Sequence, residues 1–123
     1  MNILVTGGCG FIGSNFINEI YPKNKYNIIN IDAMYYCADE NNVNEEIRNS
    51  NKYCLIKGNL NELDLEFILR KYRITHIVHF AAKSHVQNSF DDSLTFTYYN
   101  ILGTHHLLEA CRKYGKIVKF IHV

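Results

Sequence analysis

The stretch Thr6-Gly7-Gly8-Cys9-Gly10-Phe11-Ile12-Gly13 decides how this chain is read. Before it runs a short apolar segment, Ile3-Leu4-Val5, of the kind that forms a buried strand. After it comes Ser14-Asn15-Phe16-Ile17-Asn18-Glu19-Ile20, and Ile12, Phe16, Ile17 and Ile20 recur at helical spacing, which predicts one apolar face. Strand, glycine turn and helix form the setting in which Gly8-x-Gly10-x-x-Gly13 has a mechanism. Gly8 is expected to allow the tight turn. Gly10 lets a pyrophosphate approach backbone that carries no Cβ, and Gly13 brings the helix close to the sheet. Unpaired N–H groups and the positive end of the helix dipole then favour an anion.

An acidic residue stands at the matching distance. Asn27-Ile28-Ile29-Asn30-Ile31 reads as a second strand, and Asp32 follows Gly10 by 22 residues. A carboxylate about 20 residues on can accept from adenosine ribose hydroxyls. An Asp at a strand end also caps the turn that follows, and both roles remain open. Asp32 would repel a 2′-phosphate, and Ala33 supplies no compensating Arg, so NAD rather than NADP is the expected cofactor.

The 123 residues suit one domain. At 47% hydrophobic and 20% charged the chain is globular rather than disordered. A net charge of +1 without a basic run argues against a nucleic-acid partner. The sequence contains no apolar stretch of membrane-spanning length, so a soluble, cytoplasmic protein is expected. Cys9, Cys37, Cys54 and Cys111 make no Cys-x-x-Cys pair, and neither disulfides nor a metal site is expected. His105 and His106 are adjacent, hence about 100° apart on a helix and poorly placed for one ion.

In order, the pattern predicts strands at 2–6, 26–31, 52–57, 75–80 and 117–123, and helices at 11–21, 61–72 and 93–114. Asn61 is the expected cap of the second of these helices, Gly115 the terminator of the third, and a short helix is expected within 42–50. Leu94, Tyr98, Ile101, Leu102, His105 and Leu108 form one stripe and are expected to pack on the core, with His105 at its edge. The apolar segment 33–37 is expected to pack on the sheet or to form a wall beside the adenosine. Alternation of strands and helices gives a doubly wound parallel α/β sheet of order 3-2-1-4-5. The turn 7–13 and the segment 80–86 then line one crevice at the switch point.

Thr6-Gly7-Gly8-x-Gly10-Phe11-Ile12-Gly13 resembles the glycine motif of the extended short-chain dehydrogenase/reductase family, which has a Rossmann-like fold. His79-Phe80-Ala81-Ala82-Lys83-Ser84-His85-Val86 resembles a segment of nucleotide-sugar 4,6-dehydratases, the dTDP-glucose enzymes especially. Asn100-Ile101-x-Gly103-Thr104 with Leu107-Leu108-Glu109-Ala110 is similar to the family's fourth helix. The match covers the whole chain. It implies an NAD-dependent lyase acting on dTDP-glucose or UDP-glucose, with an NAD-dependent nucleotide-sugar epimerase or reductase of the same superfamily, or a non-catalytic nucleotide-binding remnant, as alternatives.

By position, the resemblance assigns Gly7, Gly8, Gly10 and Gly13 to the cofactor turn and the Phe11 and Ile12 N–H groups to the pyrophosphate. It assigns Asp32 to the adenine ribose with Ala33, Met34 and Tyr35 beside it. Asn59 and Leu60 would border the adenine. Phe80, Ala81, Ala82 and Lys83 would run toward the nicotinamide ribose, and Ser84 would touch both cofactor and sugar. Departures from the family pattern are Asn59 for Asp, Lys83 for a residue often acidic, and Tyr99 for a small hydroxyl residue near the cofactor. No catalytic residue is expected within 1–123. The family's Ser-Thr-Asp-Glu and Tyr-x-x-x-Lys segments would follow Val123, and neither Tyr35-Tyr36 nor Tyr98-Tyr99 has Lys four residues on. Residues 1–123 are therefore expected to be an incomplete NAD-binding domain, truncated after the fifth strand and lacking the substrate domain. The last strand would be an edge guarded mainly by Lys119, which predicts marginal stability and self-association, as a homodimer or larger.

Overall fold

In the computed structural model, residues 1–23, 25–82 and 92–123 are described. Five strands, β1 (Asn2–Thr6), β2 (Asn27–Asp32), β3 (Tyr53–Lys57), β4 (His76–His79) and β5 (Lys119–His122), make one sheet. Its order is β3-β2-β1-β4-β5, and each neighbouring pair is parallel. The predicted order and direction are those observed. Leu4 and Val5 are both fully buried, because β1 is central and its side chains alternate between two covered faces.

One face carries α1 (Phe11–Ile20) and the short α2 (Glu45–Arg48), where Ile17 and Ile47 pack with Ile3, Val5, Ile28 and Val78. The other face carries α3 (Leu65–Lys71) and α5 (Gly103–Tyr114), the latter preceded by the short α4 (Ser93–Phe96), which buries no residue. There Leu69 and Leu107 pack with Leu4, Ile29, Ile31 and Ile77. Gly115 ends α5 at φ +75°, as its position after the last helical residue predicts.

Four expectations need correction. Asn61 does not cap α3: Asp64 does, its carboxylate accepting from Phe67 N–H at 3.1 Å, while Asn61 turns to donate to the Tyr98 carbonyl. The helix expected over 93–114 is interrupted by a π-helical segment, Thr97–Leu102, to which Thr104 Oγ1 is tied by donating to the Asn100 carbonyl at 2.8 Å. The stripe expected to face the core faces outward: Leu94 is 81% and Ile101 66% exposed, and His105 is exposed as well. The buried face is instead Gly103, Leu107, Ala110 and Tyr114, a second set at helical spacing whose small members let α5 approach the sheet and α3. Likewise Ile12 is 61% exposed, because the first turn of α1 projects beyond the sheet end; Gly13, Ser14 and Ile17 are the buried residues.

The four cysteines are free. Among the described residues no group of three or more metal-ligating side chains comes together, and no helix is long and apolar enough to cross a membrane.

The two helical faces are distinguished by substitution. Leu107→Ala should cost about 2–5 kcal/mol, and Leu94→Ala under about 0.5 kcal/mol, in chemical denaturation of this chain. Equal losses would restore the outward stripe to the core.

Candidate functional site

The chain leaves β1 through Gly7, whose φ of +74° is the left-handed conformation that favours glycine. A Cβ here would also lie 2.8 Å from Ala81 N and 2.9 Å from Ala81 Cα, so this backbone sits directly against the exit of β4. The tight turn is therefore made by Gly7. Gly8, to which the spacing assigned it, has no positive φ. At Gly13 a Cβ would lie 2.3 Å from the Gly7 carbonyl oxygen, so that glycine's constraint is close packing of the helix on the turn, where packing on the sheet was expected. Gly10 differs from all three. Among the described residues the nearest atom to a Cβ there is Gly7 O, at an ordinary 3.5 Å, so none of their atoms demands glycine and they leave the space above it open.

The turn's N–H groups are used in sequence. Gly7 N–H donates to the Ile31 carbonyl, Gly8 N–H to Asn30 Oδ1, Cys9 N–H to Asp32 Oδ2 and Gly10 N–H to the Gly7 carbonyl. Among the described residues, the next three N–H groups, those of Phe11, Ile12 and Gly13, meet no protein acceptor. They open α1 with the dipole's positive end behind them, next to the vacant volume at Gly10. This donor set and this space suit a pyrophosphate.

Asp32 is buried at the end of β2, and each of its oxygens accepts one backbone N–H: Oδ2 from Cys9 at 2.8 Å, Oδ1 from Met34 at 2.8 Å. It does cap the following turn, where Met34 adopts φ +61°. Each carboxylate oxygen retains a further lone pair, so accepting from hydroxyls is compatible with that role. Ala33, Met34 and Tyr35 are half-buried, but Tyr36 and Cys37 are exposed and do not pack on the sheet. Cys9 is enclosed beneath this loop, and burial, with Asp32 nearby, pushes its thiol up to about 11, so it is inert.

Tyr35 reaches across the sheet end to Tyr99 in the π segment, the rings meeting edge-on at 4.8 Å. Burial and a hydrogen bond with Tyr99 hold the Tyr35 phenol well above its usual range. Asn59 donates to Tyr35 Oη at 3.4 Å, while its Oδ1 accepts from Asn61 N–H at 2.9 Å. The side chain of Leu60 points into the core, so only its backbone faces the crevice. Phe80 packs on Phe16 at 5.4 Å between ring centres, Ala81 is half-buried and Ala82 exposed. Lys83 and Ser84, with His85 and Val86, lie outside the described residues.

Beneath this segment runs a polar chain that sequence reading missed. Thr104 Oγ1 is committed as donor to Asn100, so His79 Nε2–H donates to it at 2.8 Å. His79 Nδ1 is then the acceptor for the Thr6 hydroxyl, and Thr6 Oγ1 accepts from Ala81 N–H at 3.2 Å. The chain links β1, β4, the π segment and the crevice wall. His79 is 1% exposed, and burial, then the nearby His122, lower its pKa to about 4. A His among strand residues carries no sequence signal for such a role.

Tyr53 and Lys57 do have Tyr-x-x-x-Lys spacing, but they lie on a strand, where four residues span about 13 Å. Tyr53 Oη accepts from Asn30 and burial raises its pKa to about 12, the wrong direction for a base; Lys57 pairs with Glu40. A groove of about 310 Å³ around Asn2, Asn27 and Arg73 lies at the opposite strand ends. The crevice at the carboxyl ends is the better site, since ligands of open α/β sheets bind there.

A family model described as GDP-mannose 4,6 dehydratase matches residues 4–123. The chain belongs to this family. It is 45% identical over 123 residues to a dTDP-D-glucose 4,6-dehydratase of Dictyostelium discoideum, covering 98% of this chain and 28% of that one. It is 44% identical over 126 residues to a trifunctional UDP-glucose 4,6-dehydratase, epimerase and reductase of Arabidopsis thaliana, covering 99% of this chain and 18% of that one. A dTDP-glucose 4,6-dehydratase of Bacillus anthracis solved in complex with NAD superposes with TM-score 0.85 at 39% identity, over 99% of this chain and 36% of that one. Solved UDP-glucose 4-epimerases are also similar. The chain thus spans well under half the length of these relatives.

The neutral His79 makes stability depend on pH. Between about 6.5, the unfolded value, and about 4, the unfolded chain takes up a proton that the folded chain refuses, so stability falls as pH falls through this window. The loss should be on the order of 2–3 kcal/mol. Denaturant titrations at pH 7 and pH 4.5 should show it, and a His79→Gln chain should show a correspondingly flatter dependence.

Proposed function

We propose that residues 1–123 form the NAD-binding part of a nucleotide-sugar 4,6-dehydratase, which converts dTDP-glucose or UDP-glucose to the 4-keto-6-deoxy sugar nucleotide. The observation that carries this reading is the row of N–H groups at Phe11–Gly13 that meet no acceptor among the described residues, beside the face of Gly10 that those residues leave open, with the buried Asp32 carboxylate across the turn. Phe11 and Ile12 would hold the pyrophosphate by their backbone N–H groups. Asp32 would accept from the adenine ribose, and Ala33–Tyr35, Asn59 and the Leu60 backbone would border the adenine. Tyr99 would reach this end of the site through Tyr35. Phe80–Ala82 and Lys83 would run along the nicotinamide ribose, with Ser84 toward both cofactor and sugar. When bound, NAD would supply the redox chemistry, accepting hydride from the hexose C4 and returning it at C6 after water is lost across C5 and C6.

The 4-epimerases among the similar structures favour a second reading. Product identity separates the two: loss of water with a 4-keto-6-deoxy product supports the dehydratase, and a 4-epimer without water loss supports the epimerase. The exposed stripe of α4 and α5 and the β5 edge, with Ile121 exposed, support self-association. Sedimentation at rising concentration tests that part.

Calorimetric titration should show NAD binding at least tenfold tighter than NADP, because Asp32 would oppose a 2′-phosphate. Gly10→Val should weaken NAD tenfold or more by filling the open volume. Comparable binding of NADP would exclude the assigned role of Asp32. Residues 1–123 by themselves should yield no 4-keto-6-deoxy product from dTDP-glucose or UDP-glucose. Turnover would require a base other than the half-buried Tyr53.

A further inference from the structure

Asn30 lies in the middle of β2 with its side chain fully buried among apolar neighbours. A primary amide there is costly unless its polar atoms are paired. They are: Oδ1 accepts Gly8 N–H at 3.0 Å, and Nδ2 donates to Tyr53 Oη at 3.0 Å and to Cys9 Sγ at 3.5 Å. The amide is thus held from β3 and applied to the glycine turn. Two positions on, along the same strand face, Asp32 takes Cys9 N–H. Successive side chains of β2 grip successive N–H groups of the turn.

Position 8 shows what this grip excludes. Gly8 has no left-handed φ, so it lacks the backbone conformation that requires glycine at Gly7. Its constraint is space alone: a Cβ would lie 2.4 Å from Asn30 Oδ1, 2.5 Å from Cγ and 2.6 Å from Nδ2. Those atoms cannot swing aside without abandoning three hydrogen bonds.

We infer that Asn30 is the positioning residue of the phosphate-binding turn: it dictates glycine at position 8, withdraws the Gly8 N–H from any ligand, and fixes the turn so that the anion meets only the N–H groups of Phe11, Ile12 and Gly13. Gly8 and Gly10 then serve different masters. Gly10 leaves room for the ligand, whereas Gly8 leaves room for Asn30. The effect on dinucleotide affinity rests on the cofactor reading above; the steric coupling of positions 8 and 30 does not.

The test is a substitution cycle in the full 123-residue chain, read by thermal melting without ligand and by NAD titration. Gly8→Ala should lower the melting temperature or abolish folding. Asn30→Ala should still fold. Gly8→Ala combined with Asn30→Ala or Asn30→Gly should melt within a few degrees of the corresponding Asn30 variant alone. A harmless Gly8→Ala, or double variants that lose the sum of both effects or fail to fold while the Asn30 singles fold, would overturn the coupling. Asn30→Leu keeps the branched heavy-atom skeleton and removes both the acceptor and the donor. It should weaken NAD about tenfold in a chain that still melts cooperatively, and unchanged affinity would reduce Asn30 to packing. If the wild-type chain binds no NAD while the cycle shows the coupling, the cofactor reading fails and the clamp stands.

Discussion

The arrangement depends on how closely two backbones meet at the end of the sheet. Gly7 leaves β1 against Ala81, which leaves β4, and no side chain fits between them. Parallel pairing of Thr6 with His79 brings these exits level, and the described helices that follow in sequence, α1 and α5, pack on opposite faces, as at a switch point where a crevice opens. A bulkier residue at position 7 would separate the strands or move the turn. Either change would displace the helix start that follows.

The same region concentrates the buried polar residues. Thr6, Asn30, Asp32 and His79 are embedded in an otherwise apolar sheet, and each is hydrogen-bonded. An unpaired polar group would cost about 1–3 kcal/mol, so partners hold one another to a narrow geometry. Two networks divide the work. Asn30 and Asp32 hold the glycine turn from β2. Thr6 and His79 join β1 and β4 to the π segment through Thr104. The histidine suits its place because neutral imidazole both donates and accepts, and burial keeps it neutral.

The remaining surface is less self-sufficient. The chain uses the smaller of two apolar stripes along its last helical run, residues 93–114, for its own core and leaves Leu94, Ile101 and Leu108 outside. β3 and β5 are the sheet edges. The relatives of this family are several times longer than this chain.

Much of the fold was legible in the sequence. Apolar runs separated by helix-length segments dictated five parallel strands, and the right-handed crossover left one order. The glycine spacing and Asp32 located the turn and the carboxylate. Individual roles were less legible because they depend on contacts distant in sequence. Which glycine makes the turn was decided by Ala81, 74 residues beyond Gly7, and the need for glycine at position 8 by Asn30. Periodicity revealed that residues 93–114 are helical, but two apolar stripes satisfied it, and only packing on α3 and the sheet chose Leu107 and Ala110. The π segment and the His79 chain had no local signature, since each requires partners on separate elements. Sequence by itself determined the order of elements and the chemistry available at the crevice, because hydrophobic period and glycine permissiveness are local. Tertiary structure decided which N–H groups remain for a ligand, because that is settled by which distant side chains have already taken the others.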